Sequence, residues 1–276
     1  MPIDDLPCYE VFAVRYAWVD KQRGTNFVTC DHYDRSMPMD YFVWLIRNGE
    51  KLILVDTGFN EAAAHQRKRN FLRSPIDGLA LLGVRPEQVT EVILTHLHYD
   101  HAGNIDLLPN ARLHVQEKEM QYATGKYMKY HALCHAYTVE DVIDVLKGVY
   151  DDRVAFHDGD DTLYPGVELL LIGGHTMGLQ AVRVHTRRGW VVLASDASHY
   201  YENMDQQSPF PIVFNVGDML AGYEKLRRAA ESTAHIVPGH DPEVMKRYPA
   251  WGAQDQGIVA LHENPLPASP EKTHTP

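Results

Sequence analysis

The sequence predicts a mixed α/β chain in which helices cover two packed sheets. Three observations carry this: β-rich and helix-periodic segments alternate along the chain, two β-rich stretches resemble one another, and no Pro-, Gly- or Ser-rich linker divides them. The first stretch runs from Tyr41 to Gly58 and the second from Gln180 to Ser198. Each has a β-rich run, a turn at Gly49 or Gly189, a second β-rich run, and an aspartate at its end, Asp56 or Asp196. The pairing suggests a duplicated half, each copy supplying a sheet.

Between the two copies, Val89 to Leu94 is an apolar strand that runs into a histidine-rich turn, and Arg112 to Val115 is a further strand. Residues 117–148 read as helical from apolar spacings of three and four, with Thr138 as the expected cap of the second helix. A strand over Val167 to Ile172, the second copy, a helix around Val216 to Ser232 and a last strand over Ala234 to Val237 complete the order. The expectation is one domain over residues 1–263. Residues 264–276, with four prolines, form a tail without a core role.

Composition narrows the function. The chain has 276 residues, 45% hydrophobic and 23% charged, which is ordinary for a globular protein. Its formal charge is −11, and its densest basic run, Arg67-Lys68-Arg69, is too short to track phosphates, so nucleic acid is not an expected partner. Cys8, Cys30 and Cys134 are too scattered for a disulfide framework or a thiolate zinc site. The acidic start does not read as a secretory signal, and no apolar run approaches the roughly 18 residues of a membrane span. A cytoplasmic protein that does not engage membranes is expected. Histidine is abundant, 16 residues against 26 Lys and Arg together.

The segment that carries chemistry is Thr95-His96-Leu97-His98-Tyr99-Asp100-His101-Ala102-Gly103-Asn104. It leaves a strand end on a turn. His96 and His98, two apart on extended backbone, can converge on one metal, while Asp100 and His101 address a second after the chain bends. Imidazoles with one or two carboxylates suit zinc, and also manganese, iron or cobalt. Gly103 allows a tight turn, with a helix start expected near Asn104. Four such residues within six positions at a strand–loop junction outweigh the alternative of unrelated surface histidines. One turn cannot close two sites. His175 in Gly-Gly-His-Thr, Asp196, and His240 in Pro-Gly-His-Asp each stand just past a strand, which would gather them along one sheet edge. Taken singly, none of the three is diagnostic.

The His-x-His-x-Asp-His turn, the later Gly-His-Thr, the Gly-His near the C-terminus and Asp56-Thr57-Gly58 resemble the metallo-β-lactamase superfamily over residues 56–241. The resemblance implies an αββα sandwich, two mixed sheets flanked by helices, with two divalent metal ions at its edge, zinc foremost. It implies His96, His98 and His175 on one metal, Asp100, His101 and His240 on the other, Asp196 bridging both, and Asp56 orienting the turn. Within the superfamily, Leu97 to Gly103 followed by Ser195-Asp196-Ala197-Ser198 is most similar to the N-acyl homoserine lactonases. The resemblance then implies opening of a lactone ring by a hydroxide bridging the metals, N-acyl homoserine lactones being the first substrate class (quorum quenching). Those lactonases place a tyrosine three residues after the bridging aspartate. Here His199 stands there, followed by Tyr200, so either His199 or Tyr200 is expected to donate to the substrate carbonyl, and Asp100 to protonate the leaving alkoxide. No Gly-x-Ser-x-Gly elbow offers a serine nucleophile.

The expected partner is a small-molecule lactone, with a homodimer left open. Other lactonases and thioesterases of the glyoxalase II type fit the same motifs. A flavodiiron protein would carry a carboxylate in place of His98 and a flavin domain, and a non-catalytic descendant would have lost ligands; neither describes this chain. The aromatics from Tyr16 to Phe27, and Tyr122, Tyr127, Met128, Tyr130 and His131, either wall an apolar pocket or pack helices onto the sheet. His131 and His135, four apart on a helix, are an incidental pair ahead of a chelating one.

Overall fold

The computed structural model describes residues 6–29, 35–49, 51–253 and 256–267. Cys30, the first five residues and the tail beyond residue 267 lie outside the described residues, and residues 264–267 carry no regular structure. Strand β1 (Glu10–Val19) is followed by the hairpin of β2 (Met39–Asn48) and β3 (Lys51–Val55). Helix α1 (Glu61–Gln66), the two-residue β4 (Asn70–Phe71) and α2 (Pro75–Ala80) lead to β5 (Glu91–Ile93), the short helix α3 (Tyr99–Ala102) and β6 (Arg112–Gln116). The segment predicted as helical over 117–148 is broken into α4 (Glu117–Ala123), a 3-10 turn at Lys126–Lys129, α5 (His131–Cys134) and α6 (Val139–Tyr150). Thr138 stands at the N-cap of α6, but its side chain accepts no hydrogen bond from the backbone there, so the capping expectation is corrected.

Then come β7 (Val154–His157), β8 (Asp161–Tyr164), β9 (Val167–Leu171) and the hairpin of β10 (Gln180–Thr186) and β11 (Gly189–Ser195). Helices α7 (Tyr201–Asp205) and α8 (Val216–Ala229), strand β12 (Ile236–Pro238), helix α9 (Glu243–Arg247) and strand β13 (Ile258–Ala260) close the order. The last predicted strand begins two residues late because Thr233–His235 forms a 3-10 turn.

Two sheets result. The larger runs β13-β1-β2-β3-β5-β6-β7, with β4 paired to β1; the smaller runs β12-β11-β10-β9-β8. Both are mixed: β3, β5, β6 and β7 are mutually parallel, and β12 joins β11 in parallel beside an antiparallel run. Strand periodicity sorts the cores. On β1, Val11 and Ala13 join Trp44 and Ile46 against Val182 and Leu193 of the smaller sheet. Phe12, Val14 and Tyr16 point the other way, into a core closed by Leu79 of α2, Tyr122 of α4 and Val145 of α6. Helix α8 covers the smaller sheet with Tyr223 and Leu226. The result is an αββα sandwich. Each fully buried Val, Leu or Ile contributes roughly 1.5–3 kcal/mol, so the layering is set by the pattern.

Packing resolves the two uses open to the aromatics. Tyr16 and Tyr122 are core residues, Tyr127 and Met128 pack against that core, and Tyr130 is exposed. Among the described residues no helix is long and apolar enough to cross a membrane.

Strand direction positions the site. β9, β11 and β12 run the same way in the smaller sheet, as do β3 and β5 in the larger. Asp56, the His96 turn, His175, Asp196 and His240 therefore all leave the C-terminal ends of co-directional strands, where open α/β sheets present their ligand crevice.

Candidate metal centre

The structure brings together His96, His98, Asp100, His101, His175, Asp196 and His240, all buried. Ligand-type atoms of His96, His98 and His175 lie within 4.8 Å of one another, as do those of Asp100, His101 and His240, and of His96, His101 and Asp196. In the first set, His98 Nδ1 is 3.0 Å from His96 Nε2 and 2.9 Å from His175 Nε2. In the second, His240 Nε2 and His101 Nε2 are each 3.9 Å from Asp100 Oδ2. Asp196 sits between the sets, with Oδ1 3.0 Å from His240 Nε2 and Oδ2 3.4 Å from His175 Nε2.

Hydrogen bonds on the far side of the His96, His101, His175 and His240 rings aim their inner nitrogens. His96 Nδ1 meets Thr95 Oγ1 at 3.1 Å and His101 Nδ1 meets Asp56 Oδ2 at 2.7 Å. His175 Nδ1 meets the Ile212 carbonyl at 2.6 Å, and His240 Nδ1 that of Asp40 at 2.8 Å. With Nδ1 carrying the proton, each Nε2 lone pair faces inward. His101 Nε2, His240 Nε2 and Asp196 Oδ1 are buried without a hydrogen-bond partner among the described residues. Buried polar atoms are rarely left so, and three orphans in one cluster fit two cations.

Electrostatics agree with ring nitrogens that stay neutral. Burial first, then neighbouring imidazoles, push His96 and His98 well below the usual histidine range. Burial also lowers His175. His101 goes the other way: burial opposes its charge, but Asp196, Asp56 and Asp100 together raise it. Burial likewise opposes ionisation of Asp196, and His240, His101 and His199 outweigh it, holding the carboxyl well below its ordinary value.

Asp56 anchors the turn. Its Oδ1 accepts from Thr95 N at 2.7 Å, and its Oδ2 accepts from Thr95 Oγ1 at 2.8 Å besides meeting His101. Thr95 Oγ1 also lies 2.9 Å from Ser195 Oγ, tying the first aspartate to the strand end before Asp196. Asp56 and Ser195 both hold left-handed backbone, φ +60° and +46°, a strain kept where the surrounding bonds over-determine it.

The two candidate donors part company. His199 lines the pocket, its ring stacked on Phe210 at 3.3 Å and its Nε2 2.8 Å from Asp196 Oδ2. It also lies within ligand reach of Asp196 and His240. Tyr200 turns away: its hydroxyl accepts from Asn26 Nδ2 at 3.1 Å and reaches the Met37 and Pro38 carbonyls. The structure does not bring Tyr200 to the pocket, because the turn after Asp196 sends neighbouring side chains to opposite sides. Asp100, 9% exposed, faces the pocket. His135 also lines it, and its Nδ1 meets the His131 carbonyl at 3.2 Å.

Sequence reasoning missed Glu119. This buried carboxylate accepts from Leu97 N at 3.0 Å, Tyr137 Oη at 2.9 Å, Thr176 Oγ1 at 2.5 Å and Gly178 N at 3.1 Å. It thus clamps the His96–His98 turn to the loop carrying His175. Nothing local marks it, since Glu at the start of a helix is common.

A family model described as the metallo-beta-lactamase superfamily matches residues 38–258. An N-acyl homoserine lactonase of Bacillus cereus is 30% identical over 222 residues, covering 74% of this chain and 83% of that protein. A probable metallo-hydrolase of Mycobacterium tuberculosis is 27% identical over 233 residues, covering 74% and 72%. Among solved structures, a quorum-quenching N-acyl homoserine lactone lactonase superposes with a TM-score of 0.72 at 24% identity, over 87% of this chain and 95% of that one. A dizinc quorum-quenching lactonase in complex with its product superposes at 0.68 and 19% identity, over 96% of each chain.

Proposed function

Because the chain belongs to the metallo-β-lactamase superfamily, we propose that it is a dinuclear metal-dependent hydrolase that opens lactone rings, with N-acyl homoserine lactones as the first class to test. The observation that carries this is the convergence of seven buried ligand side chains, with the outer nitrogens of His96, His101, His175 and His240 hydrogen-bonded and His101 Nε2, His240 Nε2 and Asp196 Oδ1 left without a partner among the described residues. His96 Nε2, His98 Nδ1 and His175 Nε2 would hold one ion, and Asp100, His101 and His240 the other, with Asp196 spanning both. Zinc is the proposed metal. When bound, two such ions supply an acidified water and a polarised carbonyl oxygen.

The chain's own residues do the rest. Asp56 and Thr95 fix the tautomers and angles of His101 and His96. His199 lines the pocket beside Asp196 and is the proposed donor to the substrate carbonyl. Asp100 faces the pocket and passes a proton to the ring oxygen as the acyl C–O bond breaks. Water adds to the acyl carbon, and the product is the open hydroxy acid. We place all this in one domain over residues 1–263, with 264–276 as a tail. The three scattered cysteines suit a reducing, cytoplasmic setting, and the ligand is a free small molecule.

The test is hydrolysis of N-hexanoyl homoserine lactone by metal-analysed protein, alongside γ-butyrolactone and S-lactoylglutathione. Lactone opening that needs two metals per chain and collapses in His96→Ala and Asp196→Ala supports the reading. Full activity in either variant, or turnover of the thioester alone, rejects it.

A further inference from the structure

The pocket above the ligand cluster is bordered by three basic side chains, Lys21, Arg67 and Arg69. Its only carboxylates among the described residues are Asp100 and Asp196, both already committed to the metal centre. Three like charges in one pocket are conspicuous on a chain whose formal charge is −11.

The cations are held differently. Arg67 spends Nη1 on the His135 carbonyl at 3.0 Å and Nη2 on that of Tyr137 at 3.2 Å, and lies 3.9 Å over the Tyr99 ring. It contributes charge and has few donors left. Arg69 is braced by Nε on Tyr99 Oη at 3.0 Å and Nη1 on the Arg67 carbonyl at 2.8 Å, with no partner on Nη2 among the described residues. The carbonyl of Lys21 accepts from Met37 N, but its Nζ makes no hydrogen bond or ion pair among the described residues. Burial first, then the charge of Arg69, bring its ammonium down to about 8, although Asp100 and Asp196 favour the charged form. A largely buried, unpaired ammonium beside a guanidinium is costly without an anion between them.

We propose that this site binds a carboxylate of its substrate between Lys21 Nζ and Arg69 Nη2, and that its preferred lactones or esters carry a carboxylate group. Two uncommitted donors on two cations match the two oxygens of a carboxylate, whereas a phosphate dianion would leave acceptors unmet. An N-acyl homoserine lactone is uncharged and leaves this corner unfilled. The proposal rests on the hydrolase reading above and narrows its substrate class.

The test uses metal-loaded, full-length protein and two lactones of one ring, γ-butyrolactone and 5-oxotetrahydrofuran-2-carboxylate. The expected kcat/KM ratio favours the carboxylate by roughly tenfold or more, carried by KM, since one charge-assisted hydrogen bond is worth that much. Lys21→Met should lower the ratio about tenfold and Lys21→Arg restore most of it. A wild-type ratio of one or less overturns the proposal, as does an unchanged ratio in Lys21→Met. A Lys21→Met loss confined to kcat and equal for both lactones overturns it too, by assigning the amine to the reacting carbonyl. Binding is read separately by calorimetric titration with tetrahydrofuran-2-carboxylate, which has no acyl bond to break. Affinity should fall about tenfold in Lys21→Met and in Arg69→Met at equal metal content, and equal affinity rejects the subsite. If this probe binds through Lys21 while neither lactone opens, the hydrolase reading fails and the anion subsite stands.

Discussion

Replacing Glu119 by glutamine tests whether one buried carboxylate holds the three-histidine set in register. Oε1 accepts from Leu97 N and Tyr137 Oη, and Oε2 from Thr176 Oγ1 and Gly178 N. Glutamine keeps one acceptor oxygen and turns an NH₂ group towards one hydroxyl, which can rotate to accept, and one backbone N–H, which cannot. That buried N–H without a partner costs about 1–3 kcal/mol, and the remaining bonds lose their charge assistance. Relief from burying a charge returns part of this, leaving a net loss of ~1–3 kcal/mol. At about 2–4 °C per kcal/mol for a chain of this size, Tm should drop by roughly 3–10 °C.

Leu97 lies between His96 and His98, and Thr176 follows His175, so the loosened clamp should also weaken metal binding by about 10–100-fold. Thermal unfolding with and without metal, together with chelator competition, reads both effects. The pH dependence has a definite sign. Burial raises the Glu119 carboxyl above its usual value, and its four hydrogen bonds only partly offset that. In the window between the unfolded value near 4.5 and the raised folded value, the folded state binds the extra proton, so wild-type stability falls as pH rises. Glutamine has no such slope, and its penalty relative to wild type should shrink across that window and level off above it. A Tm within about 2 °C of wild type, or a lower Tm with unchanged metal affinity, would refute the clamp.

Three further perturbations probe separate parts of the structure. Gly174 has φ +86°, and a Cβ there would stand 2.5 Å from Met219 N, so Gly174→Ala should cost about 3 kcal/mol or more and displace His175, read as a lower Tm and a lower metal stoichiometry. Burial works against ionisation of Glu91, but hydrogen bonds from His114 and Tyr164 outweigh it and lower its pKa. Its stabilisation is therefore complete above the unfolded value near 4.5 and lost as pH falls through the lower folded value; Glu91→Gln should flatten acid unfolding in that range, and an unaltered acid limb would count against the assignment. Tyr200→Phe removes the bond with Asn26 and should cost about 1 kcal/mol in stability. Its kcat/KM should stay within about threefold of wild type; a hundredfold loss would return Tyr200 to the reaction.

Locality decides which of these features can be read from the chain alone. The His96–His101 turn is a six-residue pattern, and both hairpins ending at Asp56 and Asp196 show in their strand composition, so the layers and the ligand stations are legible. Strand β1 is harder: Val11 and Phe12 are apolar on opposite faces because both are covered, which erases the alternation that marks a half-buried strand. The choice between His199 and Tyr200 turns on one rotation of the backbone after Asp196, and neighbouring aromatics carry no sign of which faces the pocket. Glu119 acquires its role only when Leu97 and Thr176, 79 residues apart, come to the same carboxylate. The basic run Arg67-Lys68-Arg69 is the sharpest case. In one dimension it is too short to mean nucleic acid, but folding sets two of its three cations beside Lys21, from a strand-flanking loop 46 residues earlier than Arg67. Charge in a pocket is a sum over segments that sequence separates, so the ion-holding half of this site can be read in the chain while the half that selects the substrate emerges only in three dimensions.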